Sequence, residues 1–221
     1  SVHYLKKGSD YLFVDESIEI LKDIIANYYG GDPYSLAEDY FDTVSKLPES
    51  TSIIGHFDLL TKFNEKYPLF DESNERYIKA YRAAIDKLIR LKIPFEVNTG
   101  AISRGYRTSS YPSIPQLEYI HKMGGSVILS SDSHSTDSLC FLFDTEKEIL
   151  RKIGFRIWKK FHFLVYIISD LCMLHKDYYP RYPHGYPHIF YKKQCIKSLN
   201  EWFYQKSVDN FYFLHTLSWF T

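Results

Sequence analysis

Short apolar segments alternate with helical patterns through the first two thirds of the chain. The apolar segments are Thr51–Ile54, Ile93–Val97 and Ser126–Leu129, and amphipathic helices are predicted between them over 74–91 and 113–123. Continuous apolar strands separated by helices are typical of a parallel sheet or barrel that is buried on both faces. The sequence therefore predicts an α/β fold for this part of the chain.

Two more helices are predicted upstream of the first apolar segment. Residues 15–29 show helical spacing of apolar side chains and stop at Gly30-Gly31, and a second helix over 34–47 stops at Pro48. We interpret residues 1–3 as the last residues of a strand whose beginning lies further upstream. His3 would then stand at the end of that strand.

Polar residues able to bind a metal ion or phosphate follow every predicted strand. Because the carboxyl ends of strands converge on one rim in a βα barrel, residues far apart in sequence can share one site there. Imidazole together with carboxylate suits zinc, manganese or iron, whereas magnesium and calcium prefer sites made of oxygen ligands alone. The sequence thus predicts a metal centre, with candidate residues His3, His56, Asp58, Glu96, Asn98, Asp132 and His134.

A plainer interpretation exists for each of these short motifs taken alone. Asp132 and His134 are two positions apart, so both can project to the same side of an extended segment. An isolated Asp-Ser-His is nevertheless more often a turn or a helix cap than a pair of ligands. The joint appearance of such motifs after successive strands is what favours the metal centre.

The loop after the second strand contributes two arginines, Arg104 and Arg107, beside Gly105. The guanidinium group matches phosphate oxygens in geometry and charge, so these residues are candidates for a phosphate contact. The alternative is that both are solvated loop cations. Lys62 is a weaker candidate of the same kind and is more typical of a surface lysine.

Composition divides the chain near Gly154. Residues 1–154 carry 18 basic against 23 acidic residues, whereas residues 155–221 carry 9 against 4, with 19 aromatic residues in 67 positions and a single glycine. We therefore predict two domains, 1–154 and 155–221, the second an aromatic, basic tail of different origin. The tail contains zinc-capable residues, but their spacing fits no closed tetrahedral site, and they are Cys172, His175, His184, His188 and Cys195.

The overall charge balance and the cysteine content narrow the class of protein. Equal numbers of basic and acidic residues argue against a nucleic-acid partner, and the longest apolar run, Phe161–Leu174, is too short and too polar for a membrane span. That run is interpreted as a core or interface helix. Three cysteines without regular spacing and the lack of a signal peptide indicate a cytoplasmic protein.

Taken together and in order, the motifs resemble the polymerase and histidinol phosphatase (PHP) superfamily and, within it, the monofunctional histidinol-phosphatases. The resemblance runs from Ser1 to about Phe155. As a set it is specific, although each piece alone is not. The motifs that carry it are Ser1-Val2-His3, Gly55-His56-Phe57-Asp58-Leu59, Phe95-Glu96-Val97-Asn98-Thr99-Gly100, Tyr111-Pro112-Ser113 and Ser131-Asp132-Ser133-His134.

The resemblance implies a distorted (β/α)7, TIM-like barrel with a trinuclear metal cluster at its carboxyl rim. It also implies hydrolysis of a small phosphate ester, L-histidinol phosphate, to L-histidinol and phosphate in histidine biosynthesis, with water activated by the metal ions as the nucleophile.

Particular positions acquire roles from the same resemblance. Asp132 or His134 would assist departure of the leaving oxygen, and Arg104 or Arg107 would bind phosphate. Glu96, Asn98 and Asp58 would support the ligands or contact substrate. The implied metal ligands are His3, His56, Asp132 and His134.

The sequence also departs from the family pattern. The family's N-terminal His-x-His pair, further upstream histidines and bridging glutamate have no counterpart here, so we expect an N-terminally incomplete barrel followed by a tail foreign to the family. Two functions therefore remain open at this point. One is a metal-dependent phosphomonoesterase represented by its C-terminal part, and the other is a truncated, non-catalytic remnant or interaction protein of the same barrel family.

Overall fold

The computed structural model of this chain describes residues 1–48 and 50–156. The predicted aromatic tail, including the run from 161 to 174 and its cysteines and histidines, lies outside the described residues. No helix within the described ranges combines the length and apolarity that crossing a membrane requires.

An antiparallel hairpin opens the described structure. Strand β1 (Tyr4–Lys7) pairs with strand β2 (Asp10–Phe13), and Gly8 adopts a positive φ of 62° in the turn between them. Glycine adopts this left-handed backbone conformation more readily than any other residue. The hairpin corrects the expectation that Ser1-Val2-His3 ends a strand, because β1 begins after His3 and runs on from it.

Two capped helices follow the hairpin. Helix α1 (Ile18–Tyr28) starts at Ser17, whose hydroxyl accepts a hydrogen bond from the Ile20 amide, and helix α2 (Pro33–Val44) starts at Asp32, whose carboxylate accepts from the Tyr34 amide. These side chains satisfy amide groups that have no partner inside the helix. Both helices were predicted from the sequence, within three residues at each end.

The parallel part of the fold is built from βα repeats, as the sequence predicted. Helix α3 (Glu75–Leu88) continues into a 3-10 turn (Ile89–Leu91) and leads to strand β3 (Phe95–Asn98). The short helix α4 (Gly100–Ser103) and helix α5 (Ile114–Lys122) connect β3 to strand β4 (Val127–Ser130), which pairs with β3 in parallel. A 3-10 turn (Thr136–Ser138) and helix α6 (Phe143–Ile153) complete the described chain.

The predicted strand Thr51–Ile54 is reduced to a single parallel bridge between Ile54 and Phe95. The Ile54 amide donates to the Pro94 carbonyl at 3.0 Å, and the Ile54 carbonyl accepts from the Glu96 amide at 2.8 Å. The segment thus lies beside β3 where a strand was expected, but only one residue has strand pairing. Its next residues, from Gly55 onward, still emerge at the carboxyl edge of β3.

The loop after β3 closes on its own base. The Asn98 amide donates to the Tyr111 carbonyl at 2.7 Å, and the Tyr111 amide donates back to the Asn98 carbonyl at 3.0 Å. The chain between these two residues is therefore an excursion that leaves the sheet edge and returns to the same point. Arg104 and Arg107 both lie in it.

Buried aromatic rings hold the helices against the parallel segments. The Phe41 ring of α2 lies 5.1 Å from the Phe57 ring and 5.4 Å from the Tyr77 ring of α3, and Phe57 lies 5.5 Å from Phe95 of β3. All four side chains are buried, and edge-to-face or tilted pairs of this kind contribute about 0.5–1.5 kcal/mol each beyond their burial. This packing fixes the segment that carries His56.

Candidate functional site

The candidate site lies where the Ile54 segment, β3 and β4 reach their carboxyl ends. Close approach of the backbone is visible at Gly55, because a methyl group added there would lie 2.2 Å from the Ser1 hydroxyl oxygen and 3.3 Å from a Glu96 carboxylate oxygen. Glycine at this position therefore leaves room for the Ser1 and Glu96 side chains where residues 1–3 lie against the strand ends. The contact brings His3 next to His56.

His56 occupies the centre of the site. Its φ is +22°, in the region that non-glycine residues rarely adopt, and strain of this kind concentrates at functional positions. Its ring is 4.8 Å from the His3 ring and is buried, and its Nδ1 atom makes no hydrogen bond within the described residues. Burial, together with the neighbouring His3, lowers the pKa of His56 to about 4, so the imidazole is neutral at physiological pH.

Glu96 and Asn98 of β3 support His56 from behind. One oxygen of the Glu96 carboxylate accepts from the His56 amide at 2.8 Å and from the Asn98 side-chain amide at 3.1 Å. The side-chain oxygen of Asn98, Oδ1, accepts from the Gly100 amide at 2.8 Å. Burial raises the pKa of Glu96 above its ordinary value, although these hydrogen bonds oppose the rise. The pair fixes the backbone of His56 in its unusual conformation.

Asp132 follows β4 and also has a positive φ, of 44°. Its carboxylate accepts from Arg104 at 2.9 Å and its backbone carbonyl accepts from the same guanidinium at 2.7 Å. His134 is exposed, and its Nε2 lies 3.8 Å from the other carboxylate oxygen of Asp132. The structure thus places Arg104 on the rim beside Asp132, with His134 at the solvent side.

Arg107 lies in the interior instead of on the rim. Its side chain is 2% exposed and stacks on the Tyr111 ring at 4.6 Å. Its guanidinium donates to the Thr61 hydroxyl and lies 3.5 Å from the carboxylate of Asp58, which is fully buried. A side chain enclosed in this way does not face the rim, whereas Arg104 does.

Asp58 is placed with Arg107 in the interior and not among the metal-ligand candidates. One of its carboxylate oxygens accepts from the Ser113 amide at 3.2 Å, and the other has no hydrogen-bond partner within the described residues. Burial raises the pKa of Asp58 to about 6, against the lowering effect of Arg107. The pair ties the 58–61 turn to the base of the loop that carries Arg104.

Two more residues lie at the candidate site: Asp15, which the sequence reasoning passed over, and Lys62, which it treated as a weaker candidate. Asp15, just after β2, has a carboxylate oxygen 3.0 Å from Nδ1 of His3, and its backbone carbonyl accepts from the Lys62 ammonium at 2.6 Å. Lys62 is only partly exposed, lies 4.6 Å from the Tyr106 ring centre and interacts electrostatically with Asp132 and Arg104. It is not the free surface lysine that was expected. A polar residue at a strand end was the missed signal for Asp15.

The predicted ligands meet in pairs. His3 lies beside His56 and Asp132 beside His134, while Asp132 is close enough to His56 to affect its pKa. Within residues 1–48 and 50–156, no three histidine, cysteine, aspartate or glutamate side chains form a group able to hold a metal ion as they stand. The donor chemistry still fits a metal, because a buried imidazole nitrogen without a partner stands next to a second imidazole and near a carboxylate.

Parallel strands with imidazoles, carboxylates and an arginine at their carboxyl ends define an α/β protein with its site at the sheet edge. Comparison with known proteins narrows this class. No family model matches the chain. The probable histidinol-phosphatase of Schizosaccharomyces pombe (strain 972 / ATCC 24843) is 28% identical over 184 residues, which cover 80% of this chain and 52% of that protein.

A solved structure, the "putative histidinol phosphatase hisK from Listeria monocytogenes", matches with a TM-score of 0.57 and 20% identity, covering 65% of this chain and 55% of the other. The fold described here is therefore similar to that of the Listeria protein. The resemblance to histidinol-phosphatases predicted from the motifs is confirmed by these two matches. The chain spans about half the length of each protein it matches.

Proposed function

We propose that this chain is part of a metal-dependent phosphomonoesterase that hydrolyses L-histidinol phosphate to L-histidinol and phosphate in histidine biosynthesis. The observation that carries the proposal is the similarity to a probable histidinol-phosphatase over 80% of the chain, in a structure that brings His3, His56 and Asp132 to one sheet edge. Such a role belongs in the cytoplasm, with a small phosphate ester as the partner and no nucleic acid or membrane involved.

The proposal extends to the architecture. Residues 1–154 would form the C-terminal part of a distorted (β/α)7 barrel, and residues 155–221 a separate tail. The parallel bridge at Ile54, strand β3 and strand β4 provide three neighbouring parallel segments joined by helices, as such a barrel requires.

His3, His56, Asp132 and His134 would hold zinc, manganese or iron, in a trinuclear centre once the remaining ligands of the family are supplied. When bound, the metal ions would supply an activated water and neutralise charge on the phosphoryl oxygens. His56 suits this role because it is neutral and its Nδ1 has no other partner in the described structure. Glu96 holds the His56 backbone and so fixes the direction of the ring.

Arg104 and Lys62 would bind the phosphate. Arg104 is held at the rim by Asp132, and Lys62 is fixed between the Asp15 carbonyl and the Tyr106 ring, so two cations flank one carboxylate. A phosphate dianion brought to this rim can take the place that Asp132 occupies on the Arg104 fork. Binding would thus release the Asp132 carboxylate toward the imidazoles.

His134 is the candidate for assisting departure of the leaving oxygen. Its ring is exposed and therefore accessible to substrate, and its Nε2 lies 3.8 Å from Asp132. Asp132 would act through this contact as well as through the metal. Glu96 is not suited to this step, because its carboxylate already accepts hydrogen bonds from the His56 amide and the Asn98 side chain.

One observation favours the second function left open by the sequence, a non-catalytic remnant or interaction protein. The described side chains bring candidate ligands together in pairs and do not form a group of three. A chain that binds metal weakly and turns over no phosphate ester would fit that alternative.

The test is phosphate release by the 221-residue chain purified with Mn²⁺ or Zn²⁺ present. We expect release from L-histidinol phosphate to exceed release from phosphoserine, and His56→Ala to abolish it together with most of the bound metal measured by mass spectrometry. Lys66 is an exposed lysine four residues after Lys62. Lys66→Met is the control for substitution outside the candidate site and should retain activity. Bound metal without turnover of any ester would favour the alternative, and turnover that survives His56→Ala with metal retained would refute the assignment.

A further inference from the structure

Asp15 connects three parts of the site. The Val14 amide donates to the His3 carbonyl at 3.0 Å, which extends the hairpin by one rung and places the next residue, Asp15, beside the His3 ring. The Asp15 carboxylate lies 3.0 Å from His3 Nδ1, and its carbonyl accepts from Lys62 at 2.6 Å. The position of Asp15 is therefore set from both sides, by the hairpin and by the lysine.

The Asp15 carboxylate faces Nδ1 of His3 at 3.0 Å, on the side of the site where the Lys62 ammonium also lies. An ionised carboxylate accepts hydrogen bonds and donates none. In this contact Asp15 would accept the hydrogen bond and Nδ1 of His3 would carry the proton.

A neutral imidazole protonated on Nδ1 has its lone pair on Nε2. Histidines that bind metals commonly donate their other ring nitrogen to a carboxylate, which fixes the tautomer and the ring orientation. We propose that Asp15 is a positioning residue that holds His3 in the Nδ1–H tautomer and so presents Nε2 as the metal-binding atom. This inference rests on the proposed function, because it assumes a metal ion at the sheet edge.

A merely structural role for Asp15 makes a different prediction. In that case Asp15 would tie the hairpin to Lys62 and have no influence on which nitrogen of His3 binds the metal. Direct ligation by Asp15 is a third arrangement, in which the carboxylate charge is needed and the hydrogen bond to His3 is not. Tautomer and metal affinity, measured separately, distinguish the three.

The experiment uses the 221-residue chain without metal and then with Zn²⁺. Long-range ¹H–¹⁵N spectra of the metal-free chain report the tautomer of His3, assigned with His3→Gln, and isothermal titration gives the Zn²⁺ affinity. We expect the Nδ1–H tautomer in the unsubstituted chain, its loss in Asp15→Ala, and about a 10- to 100-fold weaker Zn²⁺ affinity in that variant. Asp15→Asn keeps an oxygen acceptor, so it should keep the tautomer and lose less affinity than Asp15→Ala.

Asp10→Asn is the matched control, because Asp10 lies on the same hairpin and, among the described residues, its carboxylate bonds only to the Ser9 and Tyr28 hydroxyls. It should leave both tautomer and affinity unchanged. An unchanged tautomer in a folded Asp15→Ala chain would overturn the inference, as would equal affinity loss in Asp15→Asn and Asp15→Ala with the tautomer retained. If the unsubstituted chain shows the Nδ1–H tautomer but binds no metal, the proposed function is refuted. The effect of Asp15 on the tautomer of His3 would still be supported.

Discussion

Replacing Arg107 by methionine tests whether this arginine is an internal support or a substrate contact. Methionine keeps much of the volume and removes the charge, so the fully buried Asp58 carboxylate loses its cation and the Thr61 and Ser109 hydroxyls lose a donor. Breaking a buried ion pair by removing one partner costs about 3–5 kcal/mol. We expect the free energy of unfolding to fall by that amount at pH 8.

The cost should depend on pH through Asp58. The pKa of Asp58 in the folded chain is about 6, against an ordinary value of 3.8, so the folded state binds this proton more readily than the unfolded state. The free energy of unfolding therefore falls by about 3 kcal/mol as the pH rises from below 3.8 to above 6. Without Arg107 the pKa rises further, because the cation that favoured the charged form is gone. At pH 5 Asp58 is largely protonated with or without Arg107, and the difference between the two chains should shrink.

Urea denaturation followed by circular dichroism at 222 nm, at pH 5 and pH 8, measures both effects. Arg104→Met is the control, since its side chain is one-third exposed and its ion pair lies at the rim, where such pairs contribute about 0–1 kcal/mol. Asp58→Asn combined with Arg107→Met should recover part of the loss, because no unpaired charge remains inside. A cost below about 1 kcal/mol for Arg107→Met at pH 8, or the same cost at both pH values, would refute the buried-pair interpretation.

Two further predictions concern the proposed phosphate contacts. Lys62→Met should raise the KM for a phosphate ester about tenfold with a smaller change in kcat, because one of the two cations at the rim is lost. The control Lys66→Met should leave KM unchanged. An unchanged KM in Lys62→Met would exclude Lys62 from substrate binding. Gly100→Ala should also raise KM, because the added methyl would lie 2.8 Å from the Arg104 guanidinium and 2.9 Å from Asp132 Cβ. Equal KM values for Gly100→Ala and the unsubstituted chain would show that the position of Arg104 does not affect substrate binding.

The alternation of strands and helices could be predicted because it depends on local periodicity. The boundaries of β3 and β4 are within two residues of the predicted segments, and their parallel pairing follows from the helix between them. The opening hairpin was missed because its two strands are only four residues long and show no regular alternation of polar and apolar residues. Asp15 was missed with it, since a polar residue at a strand end carries no signal until the strand is recognised.

The depth of a side chain could not be predicted in the same way. Arg104 and Arg107 are three residues apart in one loop, and nothing in the sequence distinguishes the exposed one from the buried one. Burial of Arg107 depends on Asp58, almost fifty residues earlier, and on the Tyr111 ring, which is placed by pairing with β3. Lys62 is a similar case, because its partner carbonyl belongs to Asp15.

Because of the reciprocal hydrogen bonds between Asn98 and Tyr111, the loop at the rim can change in sequence and length while the sheet stays the same. Since the excursion between them begins and ends at one point, residues can be inserted or deleted there at a small entropic cost and without altering the strand register. Under the proposed function, a descendant could therefore acquire a different ester preference by remodelling this segment while the histidines and carboxylates below it stay in register.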